Sequence, residues 1–92
     1  MIKTWKHKGL KLFYETGSTA KIQAKHASKI HDILQLLDAA TSAKQMNLPG
    51  LAFHVLTGDM AGHYALKVNA NWRITFQFED EDAILVDYVD YH

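Results

Sequence analysis

"YALKVNANWRITFQF", residues 64–78, is the stretch on which the fold turns. Apolar side chains occupy every second position on both sides of Asn69-Ala70-Asn71: Tyr64, Leu66 and Val68 before it, Trp72, Ile74, Phe76 and Phe78 after it. A period of two marks a half-buried strand, and two such runs around a short Asn-rich break read as a β-hairpin. Opposed residues of an antiparallel pair share a face. A three-residue turn at 69–71 pairs Val68 with Trp72, Leu66 with Ile74 and Tyr64 with Phe76, collecting the apolar groups on one side. A two-residue turn sets Lys67 against Trp72 and Leu66 against Arg73 and mixes the faces, so the three-residue turn is expected. The same register places Lys67 opposite Arg73 on the polar side. Two opposed cations repel, and either open solvent or a bound anion relieves them.

Working outward, "EDED" (79–82) reads as the next turn and "AILVDYVDYH" (83–92) as the last strand. An even register, with Phe76 and Phe78 opposite Ile84 and Val86, puts Tyr91 on the face of Arg73. Asp90 and His92 then fall nominally on the other face, so twist or a bulge must turn the tail if all three are to meet. Upstream, "LAFHVL" (51–56) alternates as a strand, with Leu51, Phe53 and Val55 opposite Ala52, His54 and Leu56, and "TGDMAGH" (57–63) is a glycine-bearing loop. Before residue 50 the period is helical. Ala27, Ile30, Ile33, Leu34, Leu37 and Ala40 form the apolar stripe of the longest helix, and Leu10, Phe13 and Tyr14 that of a shorter one stopped at Gly17. "MIKTWKH" (1–7) alternates as a short strand, Ile2, Thr4 and Lys6 on one side and Lys3 and Trp5 on the other. Residues 1–92 are thus expected to form one α+β domain. Its N-terminal helices pack on one face of a mostly antiparallel sheet, and the other face is open.

Ninety-two residues suit a single core. The absence of cysteine excludes disulfides, thiolate nucleophiles and Cys-based zinc sites. No apolar run approaches the ~20 residues that span a bilayer, and the opening residues lack a signal-peptide pattern. The expectation is a mature, soluble, cytoplasmic protein without a membrane partner. The formal net charge of zero hides a gradient. Residues 1–30 carry seven lysines against Glu15 alone, whereas residues 79–92 carry six acids and neither Lys nor Arg. Such asymmetry implies compensation across the fold or two different partners.

The six histidines do not form a metal motif: His26 and His31 are mis-spaced for one helical face, Asp59 and His63 sit in a loop, and no HExxH occurs. Ser18, Ser28 and Ser42 lie in no nucleophile context. No metal or other cofactor is expected. What remains is the polar side of the C-terminal half, with His54, Thr57, Lys67, Arg73, Asp90, Tyr91 and His92. Metal-free RNA cleavage by the adjacent 2′-hydroxyl needs a base, an acid and cations for the charged phosphorane. Imidazole, with an ordinary pKa of ~6.5, serves as base or acid. Arginine's planar fork serves the phosphate.

The stretch "LPGLAFHVLTGDMAGHYALKVNANWRITFQFEDEDAILVDYVDYH" (48–92) resembles the C-terminal half of HigB-type toxins, the plasmid-maintenance killer proteins of the RelE superfamily. The carriers are Pro49-Gly50, Gly58-Asp59, Gly62, Val68-Asn69, Trp72-Arg73-Ile74, Phe76 and the closing Asp90-Tyr91-His92, and "IKTWKHKGLKLFYETG" (2–17) is similar to the family's opening. The resemblance implies a RelE-like microbial RNase toxin fold and a ribosome-dependent mRNA endonuclease acting in the ribosomal A site. It also implies a cognate helix-turn-helix antitoxin of the HigA kind. It assigns catalysis to His54, Arg73, Asp90, Tyr91 and His92 and RNA binding to Lys67 and Thr57. Three positions depart from the family pattern: Thr57 replaces a lysine, Met60 a basic residue, and Lys67 an arginine. Each lost phosphate donor weakens transition-state binding. The alternative reading is therefore a catalytically weak or inactive module that still binds an antitoxin or the ribosome.

Overall fold

A computed structural model describes residues 1–91. Its elements are α1 (Lys8–Thr16), α2 (Ala27–Ala39), β1 (His54–Val55), β2 (Tyr64–Asn69), β3 (Trp72–Glu79) and β4 (Asp82–Asp90). Single 3-10 turns lie at Ala24–His26, Ala43–Met46 and Gly58–Met60. The strands form one sheet in the order β1-β2-β3-β4, every pair antiparallel. The helices cover one face, as the change of period at residue 50 predicts. Leu10 and Phe13 of α1 and Ile30, Ile33, Leu34 and Leu37 of α2 join Leu66, Ile74, Phe76, Val86 and Tyr88 in one buried cluster. Each fully buried large side chain contributes about 1.5–3 kcal/mol. Gly17 ends α1 in the left-handed region (φ 81°) and donates to the Phe13 carbonyl at 2.7 Å. Among the described residues no helix is long and apolar enough to cross a membrane.

The central hairpin has the expected register from Tyr64↔Phe76 through Leu66↔Ile74 to Lys67↔Arg73. Its end differs from the expectation. Asn69 pairs with Trp72 across a two-residue turn, Ala70-Asn71, and Val68 forms a bulge. The extra residue absorbs the mismatch that made a two-residue turn look impossible, so the faces never mix. Ala70 supplies the left-handed turn conformation (φ 48°).

The β3–β4 pair has the same device. Near its turn Glu79 pairs with Asp82, Phe78 with Ala83 and Gln77 with Ile84, one step off the even register. Leu85, at φ 54°, is the extra residue, and from Thr75↔Asp87 to Trp72↔Asp90 the even register is restored. The N-terminal segment runs parallel along β4, bridging Ile2 to Ala83 and Trp5 to Val86. Because the bulge interrupts that edge, Ile2 and Trp5, three apart, both pack on the core, which replaces the expected alternation. Thr4 Oγ1 accepts the Leu85 N–H at 2.8 Å and so holds the bulge. The expected strand at 51–56 is also shorter. Ala52 turns left-handed (φ 48°), leaving His54–Val55 as β1, while the Leu51 carbonyl still accepts from the Lys67 N–H at 2.7 Å.

Candidate active site

Pairing fixes what the sheet presents on the face turned away from the helices. His54, Ala65, Thr75 and Asp87 form one row across the strands, and Lys67, Arg73 and Val89 form the next. Ala65, a small residue between larger ones, leaves a hollow. An open cleft of about 310 Å³ is lined by Ala52, His54, Leu56, Ala65, Arg73 and Tyr91.

Arg73 is the best-defined group in this cleft. Its Nη1 donates to the Ala70 carbonyl at 2.6 Å and to the Trp72 carbonyl at 3.0 Å. The guanidinium carbon stands 5.7 Å from the centre of the Tyr91 ring, a cation–π distance. Tyr91 is tied by its N–H, which donates to the Asn71 carbonyl at 2.8 Å, while its side chain stays 40% exposed. The turn at 70–71 therefore fixes both residues through its carbonyls. One flat, wet aromatic ring and one half-buried cation side by side can bind a phosphate and stack on a base.

The remaining expected residues fall in different places. His54 is exposed and lines the cleft. Lys67 is exposed in the row of Arg73, directly opposite it. Thr57 is exposed at the entry to the 3-10 turn at Gly58–Met60 and is not among the residues lining the cleft. Asp90 pairs with Trp72, not with Arg73, and so belongs to the helix-facing row. The register restored at Leu85 delivers Tyr91 to Arg73 but leaves Asp90 behind the sheet. His92 lies outside the described residues. Among the described residues no group of three or more His, Asp or Glu side chains comes together as a metal site.

Behind the cleft lies a cluster that the sequence reading overlooked. Tyr88, 4% exposed, stacks on Trp72 with ring centres 4.4 Å apart. Its hydroxyl lies 2.7 Å from Nδ1 of His26, which is 3% exposed. Burial raises the Tyr88 pKa above its usual value of 10.0; a backbone hydrogen bond with Gln23 opposes this and the charge of Asp90 adds to it. Burial, and then the charge of Lys25, lowers the His26 pKa below its usual 6.5. A neutral phenol beside a neutral imidazole donates to it, which makes Nδ1 the acceptor and leaves the ring proton on Nε2. The Asn69 side-chain amide lies 3.5 Å from that Nε2, and with the proton there it is the amide oxygen that must face the ring and accept. The available signal was parity: Tyr88 shares the core-facing positions of Val86, and a phenol among apolar groups needs a partner.

The small antiparallel sheet backed by helices on one face has a counterpart among solved structures. The chain aligns over its whole length with a YoeB/ParE toxin from Agrobacterium tumefaciens, at a TM-score of 0.57 and 21% identity and covering 99% of that chain, which shows the shared fold. Residues 3–92 match the model of the HigB-like toxins, described as the RelE-like toxin of type II toxin–antitoxin system HigB. Over its full length the chain is 47% identical to the endoribonuclease HigB of Proteus vulgaris, covering all of that protein. It is 32% identical over 90 residues to toxin HigB-1 of Vibrio cholerae serotype O1, covering 96% of this chain and 94% of the other. The chain belongs to the HigB-like toxin family, the toxins of type II toxin–antitoxin systems. Membership implies an antitoxin partner.

Proposed function

We propose that the chain is a cytoplasmic, ribosome-dependent endoribonuclease that cuts translated mRNA in the A site by metal-free acid–base chemistry, held in check by a helix-turn-helix antitoxin of the HigA kind. The observation that carries the reading is Arg73, pinned by two carbonyls and set against the Tyr91 ring in a cleft that also holds His54. The endoribonuclease name of the 47% identical Proteus vulgaris relative supports it.

In this mechanism a base takes the proton of the 2′-hydroxyl, whose oxygen attacks the neighbouring phosphorus. The phosphorane collapses as an acid gives a proton to the departing 5′-oxygen, leaving a 2′,3′-cyclic phosphate and a 5′-hydroxyl. His54 and His92 are the proton carriers, since a neutral imidazole takes a proton and an imidazolium gives one. Arg73 holds the charged phosphorane with the guanidinium N–H groups not spent on the Ala70 and Trp72 carbonyls. Lys67 adds a second cation one strand away, and Tyr91 stacks on a flanking base. Asp90, on the helix-facing row, tunes its neighbours rather than touching RNA, and Thr57 contributes at the rim.

The test is induction of the wild-type chain, Arg73→Ala and a chain lacking His92 in bacteria without the antitoxin. The expected result is growth arrest and new 5′-hydroxyl ends in translated messages for wild type only. Arrest without new ends would identify the weakly catalytic binding module instead. Toxicity undiminished in both variants would overturn the site.

A further inference from the structure

The backbone of residues 69–72 has two sides. Its carbonyls serve two residues that line the cleft: those of Ala70 and Trp72 accept from Arg73, and that of Asn71 accepts the Tyr91 N–H. Towards the helices it presents two side chains: Asn69 meets His26, and Trp72 stacks on Tyr88 with its ring edge-on to His26 at 5.9 Å. A two-residue turn on an exposed hairpin end, with Ala70 in a left-handed conformation, has little of its own to keep it still. Here it is gripped from behind by two of the most buried polar side chains in the fold, joined to each other at 2.7 Å.

From this we infer that His26 and Tyr88 are positioning residues for the phosphate-binding Arg73. They act through Asn69 and Trp72 to fix the direction of the Ala70 and Trp72 carbonyls, and these carbonyls fix the guanidinium. His26 stands at the entry to α2, so the inference ties the placement of that helix to the geometry of a cleft on the opposite face of the sheet. It rests on the nuclease reading above. Its physical basis is the sensitivity of phosphoryl chemistry to placement: a shift of the order of 1 Å in a catalytic group lowers rates about 10²-fold.

Two substitutions separate the parts. Tyr88→Phe keeps the ring and its stack on Trp72 and removes only the hydroxyl that reaches His26. Asn69→Ala removes the side chain that links the turn to His26. The assay is single-turnover cleavage of a 5′-labelled message on purified ribosomes with an empty A site. It is run at a temperature where circular dichroism shows each variant folded. Each substitution is expected to lower the maximal rate about tenfold to 100-fold, while the toxin concentration giving half that rate moves less than about twofold. In an Arg73→Ala background, Tyr88→Phe is expected to lower the residual rate by less than about threefold, because the group it positions is gone. A purely structural role would carry its full factor into that background, and that result overturns the inference. Wild-type maximal rates in both single variants overturn it as well. Undiminished cleavage by Arg73→Ala alone removes the phosphate-binding reading, and this inference with it.

Discussion

Tyr88 and Tyr91 are three residues apart at one strand end and face opposite sides of the sheet. Tyr88 is 4% exposed and Tyr91 is 40% exposed. The buried phenol has its hydrogen bond inside the fold, to His26, and its ring fully stacked on Trp72. The other has only its backbone fixed and leaves its ring and hydroxyl in water beside Arg73. The contrast shows how a small domain builds a site on a bare sheet. Neutral, desolvated groups behind the strands hold the backbone rigid, and charged groups in front remain free to meet a ligand.

The sharpest way to break this contrast is truncation on the two sides. Tyr88→Ala removes a buried ring and is expected to destabilise the fold by about 3–5 kcal/mol, whereas Tyr91→Ala stays within about 0.5 kcal/mol; urea unfolding of both distinguishes them. If the two lost equal stability, the division into a supporting side and a working side would fail. Arg73→Ala is expected to reverse the pattern. Its cleavage rate falls about 10²–10³-fold, and its unfolding free energy falls by no more than about 1 kcal/mol, as two replaceable hydrogen bonds imply. Single-turnover rates and urea midpoints, taken on one preparation, read both quantities.

A graded effect follows from His26, whose lowered pKa means that the unfolded chain takes up its proton first. Stability from this residue is complete above about pH 6.5 and declines as the pH falls from there towards the lower folded pKa. The urea midpoint should therefore drop between about pH 7.5 and about pH 5.5, and drop less in His26→Gln. Equal drops would show that other groups carry the pH dependence. The smallest effect concerns Lys67. Its replacement by alanine relieves a like-charge pair with Arg73 and should raise stability by about 0.2–1 kcal/mol while weakening RNA binding at low salt, measurable by filter retention.

Much of this arrangement is legible in the chain itself. The change from a helical period to a period of two fixes the helix-on-sheet plan. Strict alternation through Leu66, Ile74 and Phe76 fixes the pairing that sets Lys67 against Arg73. The two bulges, at Val68 and Leu85, are not legible, because each depends on an ordinary residue accepting an uncommon backbone conformation or position for tertiary reasons. At Leu85 the reason is the N-terminal segment, 81 residues away in sequence, whose Thr4 hydroxyl caps the exposed N–H. Of the expected site residues, alternation alone sets Lys67, Arg73 and Tyr91 on one face, and it sets Asp90 on the other. The His26–Tyr88 pair escaped because it joins the start of a helix to the end of the last strand, a contact that no local pattern encodes.

Leu85 has a further consequence. It acts as a half-period phase shift in the last strand: the tip of the hairpin is in one phase and the part beneath the cleft in the other. Drawn into the ladder as an ordinary paired residue, it would carry the tip's phase down the strand, pairing Arg73 with Tyr88 and sending Tyr91 to the helix-facing side. One residue held out of the ladder, upstream of both tyrosines, keeps the inner and outer phenols on their own sides without itself lining the cleft. The domain's inside and outside at this end are therefore written in the backbone conformation of one residue as much as in the identities of its neighbours.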